Sequence, residues 1–252
     1  MKQQFILWIA ALVITFIFGF SNRITSEEYP ITGTVKYNTH KVSYLFDKVY
    51  RSNNDYKFQV FSDMKGMKIK LQYKNEDDLN WTEAELSRSN NIYSVKIPNA
   101  GPTNKIVYRA ELDYNNDKII VPTEEGIILT FWGKVSKPIM LFYNLALFFG
   151  IFLTTRIGLE YFNDNEKIKK LSLFPSIFFI FYCLLVVPIK RTYELAAFGK
   201  EILPINQLFD LKSLSFLIIW IITIVLVFNS KKRKTIALVS AVILLLLYGI
   251  NV

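Results

Sequence analysis

The 252-residue sequence predicts an α+β membrane protein: an antiparallel β-sandwich carried by five transmembrane helices, one N-terminal and four C-terminal. Three observations predict it. Five runs are almost free of charge, residues 5–20, 139–155, 172–189, 214–228 and 235–250. Each falls a little short of the ~20 residues that cross a hydrocarbon layer of about 30 Å, and flanking aromatics with snorkelling Lys or Arg make up the difference. Between the first two runs, over residues 31–131, the apolar period changes to two, the period of a half-buried strand. Finally, hydrophobic residues make up 52% of the chain and aromatics 15%, high for a soluble protein and unevenly spread.

The first run opens with the short basic start MKQQ and ends in FIFGF. A cleavable leader has a shorter apolar core, so the run reads as a retained anchor over residues 1–22, although Gly19–Ser21 offers a small-residue cleavage pattern. The sandwich is expected over residues 23–137. Within it MKIKLQY sets Met67, Ile69, Leu71 and Tyr73 against Lys68, Lys70 and Gln72. NIYSVKIP and KIVYRAEL alternate in the same way, and ITGTVKY, KVSYLF, YKFQVFS, NWTEAEL, KIIV and GIILTF are further candidates. Turn residues separate them at Asn38, Asn53–Asn54, Lys65–Gly66, Asn90–Asn91, residues 98–104 and Asn115–Asn116. Some eight short strands in a hundred residues point to a β-sandwich. Trp81, Tyr93 and Tyr108 read as core aromatics, and His40, the one histidine, as a solvated turn residue.

The C-terminal part, residues 138–252, reads as four spans with an outer amphipathic loop at residues 190–212. Asn144 in the second span is expected to hydrogen-bond a neighbouring helix. Arg156 and Glu160 stand four apart on one helical face, as a membrane-surface pair with Arg156 reaching a lipid phosphate. Pro188 is expected to end or kink the third span. Beyond it Leu195, Phe198 and Ile202 form an i, i+3, i+7 stripe, predicting a short interfacial or re-entrant helix. Around that stripe Lys190, Arg191 and Lys212 are candidates for binding a lipid phosphate or a protein partner, with Tyr193 beside them and Glu194 and Asp210 as counter-charges.

Charge sets the expected orientation. With the N-terminus in the cytoplasm, nine basic residues lie inside (Lys2, Arg156, Lys167, Lys169, Lys170 and residues 231–234) against four in the short outer loop. Residues 21–137 carry 17 basic and 15 acidic residues, so most of the net charge of +9 sits at the inner membrane face, where anionic lipid attracts it. No nucleic-acid partner is needed to explain the basicity. Cys183 is the only cysteine, which excludes an intrachain disulfide, and it reads as a buried small hydrophobe. G-x-S-x-G, H-E-x-x-H, Walker A, G-x-G-x-x-G and C-x-x-C motifs are absent. No catalytic, cofactor-binding or metal-ligating residue is assigned.

From Leu71 the strands LQY, NWTEAEL, IYSVKIP and IVYRA follow one another as they do in immunoglobulin-like or fibronectin-III-like modules, which the stretch resembles. Over nearly the whole chain YPITG, TFWGKV, TTRIGLE, PI with a following Tyr, AFG and D-x-K-S come in order. In this the chain resembles a family of multi-pass bacterial inner-membrane proteins with an N-terminal anchor and an extracytoplasmic Ig/FnIII-like sandwich. The resemblance implies a layout and no reaction. The expected function is a non-enzymatic accessory or assembly subunit of an envelope complex in the bacterial inner membrane. Its N-terminus would be cytoplasmic, its sandwich and C-terminus periplasmic, its partners membrane lipid and an envelope protein. The alternatives are a lipid- or glycan-handling enzyme using Glu194, Glu201 or Asp210, and a transporter subunit.

Overall fold

The computed structural model describes residues 2–37, 40–64, 66–114, 117–163 and 167–250. It divides into a helical unit of Met1–Ser26, Val135–Tyr193 and Ala197–Val252, and a sheet unit of Glu27–Lys134 with Glu194–Ala196. The predicted turns at Asn38, Lys65 and Asn115–Asn116 lie outside the described residues.

In the sheet unit the alternating runs become strands, eleven among the described residues. In chain order they are β1 (Ile31–Tyr37), β2 (His40–Phe46), β3 (Val49–Arg51), β4 (Tyr56–Ser62), β5 (Lys68–Asn75) and β6 (Thr82–Glu85), then β7 (Ser87–Ser89), β8 (Ile92–Ile97), β9 (Lys105–Tyr114), β10 (Asp117–Val121) and β11 (Ile127–Trp132). One sheet has the order β1-β2-β4-β8-β7 and the other β3-β11-β9-β5-β6, with β10 also on β9. β9 is long enough to serve two neighbours on one edge: Lys105 to Tyr108 pair with β11, and Ala110 to Tyr114 with β10. Pairing is antiparallel except between β3 and β11, which run parallel.

The period of two decides what is buried. On β4 Tyr56, Phe58 and Val60 are buried while Lys57 is exposed; on β9 Ile106, Tyr108, Ala110 and Leu112 are buried. Residues of both sheets meet in one hydrophobic cluster, where Phe46 lies 4.8 Å from Phe58 and 5.1 Å from Tyr108, centroid to centroid. Each such ring contributes about 1.5–3 kcal/mol by leaving water, which is how this unit holds together without a disulfide. The buried phenols keep partners: Tyr108 donates to the Asp47 carbonyl (2.7 Å), Tyr56 to Asp47 Oδ2 (3.0 Å) and Tyr93 to the Met64 carbonyl (3.1 Å). Burial raises the pKa of Tyr56 and of Tyr108. It also raises that of Asp47, against the lowering effect of the Tyr56 hydroxyl.

Two expectations are corrected here. His40 opens β2 opposite Tyr37 and lies 3.4 Å from Asp63, so it is an exposed strand residue instead of a turn residue. Trp81 stays out of the core, half-buried beneath Arg109, whose guanidinium lies 4.3 Å from its ring centroid, with Lys74 at 5.3 Å.

The helical unit contains α1 (Lys2–Thr25), α2 (Lys137–Gly158), α3 (Ile168–Leu171), α4 (Phe174–Ile180), α5 (Val187–Glu194), α6 (Ile205–Leu208), α7 (Leu211–Asn229) and α8 (Arg233–Gly249). Among the described residues four helical stretches are long and apolar enough to cross a membrane: Gln3–Thr25, Lys137–Phe162, Ile168–Glu194 and Leu211–Asn229. α8 has 17 residues. At 1.5 Å per residue it rises about 25 Å, less than the hydrocarbon thickness.

Pro188 does not end the third stretch. A π-helical segment, Phe181–Val186, joins α4 to α5 just before it. A widened turn of this kind accommodates a residue that lacks an N–H and crowds the preceding carbonyl. The stretch around Leu195, Phe198 and Ile202 is not a helix, because Ala196 (φ 54°) and Gly199 (φ 74°) take left-handed conformations that end the helical path. Asn144 lies on an exposed face of α2, and its side chain makes no hydrogen bond among the described residues.

Trp220, fully buried, donates Nε1 to the Ser172 carbonyl at 3.1 Å, and the buried Cys183 thiol donates to the Ser213 carbonyl at 2.8 Å. α2 approaches α8 closely at Gly158, where an added Cβ would stand 2.5 Å from the Ala241 Cβ.

Candidate functional site

The eight candidate residues go to separate places. Arg156 and Glu160 stay together, but not as a membrane-surface pair, since each is 1% exposed. Arg156 ends α2 and Glu160 lies in the 3-10 turn Leu159–Phe162 that follows, so helical spacing alone stacks them. Arg156 Nη1 lies 2.7 Å from Glu160 Oε1, at an angle that leaves both atoms, and Arg156 Nε, without a directed hydrogen bond among the described residues.

The rest of the pair's surroundings come from other elements. Arg156 Nη2 donates to Gln4 Oε1 at 2.5 Å, and its guanidinium lies 5.1 Å from the ring of Trp8 on α1. Glu160 Oε2 accepts from Asn163 Nδ2 at 2.7 Å, and the Asn163 carbonyl accepts from Lys234 Nζ on α8 at 2.6 Å. Gln3 on α1 donates to the Phe162 carbonyl at 3.0 Å. The pair is thus the hub of a polar network joining the start of α1, the end of α2 and the start of α8. Burying two charges is tolerable because they neutralise one another and the carboxylate keeps amide donors.

Glu194 is buried in the sheet unit. Its Oε1 lies 3.3 Å from Arg51 Nε, while Arg51 Nη2 reaches Glu28 Oε1 at 2.7 Å. The Gly133 N–H donates to the Glu194 carbonyl at 2.7 Å. Burial works to lower the pKa of Arg51, but Glu28 and then Glu194 outweigh it, and the guanidinium is held above its ordinary value. Arg51 therefore bridges two carboxylates, one of them the buried Glu194.

Asp210 caps α7, its Oδ1 accepting from the Ser213 N–H at 2.6 Å. Lys212 donates Nζ to the Ile250 carbonyl at 2.8 Å, at the end of α8. The Lys190 ammonium lies 4.7 Å from the ring of Tyr143, Tyr193 stacks on Phe198 at 4.3 Å, and Arg191 is half-buried. Sequence reasoning missed Gln4, Trp8, Asn163, Lys234, Arg51 and Glu28. Their partners lie 71 to 152 positions away for Asn163 with Lys234 and Gln4 with Arg156, so no local spacing announces them.

Among the described residues no cluster of three His, Cys, Asp or Glu side chains has metal-binding geometry. No protein-family model and no curated protein matches the chain. A solved β-1,2-glucanase from Parabacteroides distasonis is similar over 85% of this chain and 33% of that one, at 14% identity and a TM-score of 0.22. The chain thus spans about a third of that enzyme's length, and a likeness at this score bears on neither fold nor activity.

Proposed function

We propose that the chain is a non-enzymatic, membrane-anchored accessory or assembly subunit of a bacterial envelope complex, of the multi-pass inner-membrane kind its sequence resembles. In this reading α8 is a fifth span, its short rise extended by Arg233 and Lys234 at one end and Tyr248 near the other. The N-terminus and the lysine-rich loops lie in the cytoplasm. The sheet unit and the C-terminus lie outside, where the sheets meet a protein partner.

Strand order supports an immunoglobulin-like sandwich: β2-β4-β8-β7 follows the A-B-E-D order and β5-β9-β11 the C-F-G order of that fold. The observation that carries the subunit reading is the employment of the carboxylates. An acid–base enzyme needs them converging on one cleft. Here Glu194 pairs with Arg51, Asp210 caps a helix and Glu160 sits under Arg156, three separate structural duties.

The test is the composition of the native particle. Extraction in mild detergent is expected to give a particle heavier than the chain, with a stoichiometric second polypeptide that crosslinks to it in untreated membranes. A lone monomer with no crosslinked neighbour contradicts the reading. Replacing Glu201 with Gln is expected to leave the cellular phenotype intact.

A further inference from the structure

Four basic segments converge on one end of the helical unit. They are the end of α2, α3, the α7–α8 turn and the first turn of α8. Lys234 Nζ reaches the carbonyl of Asn163 (2.6 Å), and Lys169 Nζ lies 5.4 Å from the ring of Phe228 at the end of α7. Lys167, Lys170, Lys231 and Lys232 are exposed there, and Lys169, Arg233 and Lys234 half-exposed. Among the described residues no carboxylate stands within ion-pair distance of Lys170, Lys231 or Lys232, and the first turn of α8 contains no acid. The one described carboxylate at this end, Glu160, is buried beneath Arg156.

Large apolar side chains are exposed beside these lysines: Tyr161 by 43%, Phe162 by 60%, Leu173 by 53%, Phe174 by 54% and Phe228 by 41%. A surface that reads a water-borne polyanion has no use for such neighbours. A lipid interface requires them, with rings and leucines at the acyl boundary and ammonium groups at the phosphates.

From this juxtaposition we propose that Lys170, Lys231 and Lys232 form a binding surface for the headgroups of anionic phospholipids, bounded by Phe162, Leu173 and Phe174. The surface lies away from Lys190, Arg191 and Lys212, of which Lys190 is over Tyr143 and Lys212 on a backbone carbonyl. The proposal rests on the helical unit being in a bilayer. It is independent of whether the chain is a subunit or acts alone.

The test uses the full chain in nanodiscs of phosphatidylcholine alone or with a third phosphatidylglycerol. Lipid retained on the protein is read by native mass spectrometry after release into detergent. The ratio of retained phosphatidylglycerol to retained phosphatidylcholine is expected to exceed their ratio in the disc roughly tenfold or more, because each juxtamembrane lysine favours an anionic surface several-fold. The K170Q/K231Q/K232Q variant is expected to lose most of that enrichment. K36Q/K41Q/K57Q, which removes the same charge from exposed strand positions, is expected to keep it. Raising the salt should weaken retention on the parent chain, as screening demands. Retention of the two lipids in the ratio of the disc, or unchanged enrichment in the first variant, overturns the proposal. So does protection of the chain by free inorganic phosphate in neutral discs, which would assign the surface to a soluble anion. Near-ultraviolet circular dichroism of each variant separates loss of the surface from loss of the fold.

Discussion

Arg51 shows how much one side chain holds. It is the shared cation of Glu28 and Glu194, and the Glu194 carboxylate is only 2% exposed. Removing the half-buried Arg51 leaves the Glu194 charge in a medium that solvates it poorly, at a cost of up to about 3–5 kcal/mol. Arg51→Met is therefore expected to lower the unfolding midpoint of the sheet unit sharply, while Glu194→Gln, which puts a neutral amide in place of the carboxylate, should cost less. Equal small effects in both would show that the pair is dispensable.

Asp47 makes a residue-scale prediction of another kind. Its pKa is raised by burial, so the folded chain holds this proton more tightly than the unfolded one. Stability from this group therefore falls as pH rises from the ordinary carboxylate value through the raised one, and the full cost is present above that window. Glu83 has the opposite sign: Gln72 and then Lys70 lower its pKa, and its contribution is lost in acid. In pH-dependent unfolding Asp47→Asn is expected to remove the first component, leaving a chain more stable at neutral pH than the parent. A variant with the parent's profile would contradict this.

At the scale of elements, the Arg156–Glu160 hub ties α1, α2 and α8 together. Arg156→Leu and Glu160→Leu singly each strand a buried charge and are expected to cost about 3–5 kcal/mol. The double substitution removes both charges and should recover most of that loss. A double variant as damaged as the sum of the singles would show that the network acts through its individual hydrogen bonds, and thermal unfolding of the solubilised chain measures it.

What the sequence disclosed at this scale follows from range. β4 and β9 are legible because alternation over seven and ten residues needs no knowledge of a partner. β3 and β7, at three residues each, are too short to show a period, and only their pairing makes them strands. The stripe Leu195, Phe198, Ile202 has helical spacing, yet Gly199 between them offers the conformation that ends a helix. The Arg156–Glu160 pairing is local and visible in TTRIGLE. Its burial is not, because Gln4 and Trp8, which cover Arg156, lie about 150 positions away.

The whole molecule combines a sandwich-like sheet unit with an aromatic core and a helical unit whose basic loops gather at one end. The proposed sidedness puts the strands outside the membrane and the lysine-rich loops within the cell. The most direct measurement is thiol labelling with a membrane-impermeant reagent on sealed, right-side-out vesicles. Leu79→Cys probes the sheet unit at a side chain that is 90% exposed, and Lys232→Cys probes the α7–α8 turn; the buried Cys183 contributes little background. This sidedness predicts that the L79C variant is labelled in sealed vesicles and the K232C variant only after detergent opens them. Labelling of both variants in sealed vesicles, or of neither until lysis, would contradict it.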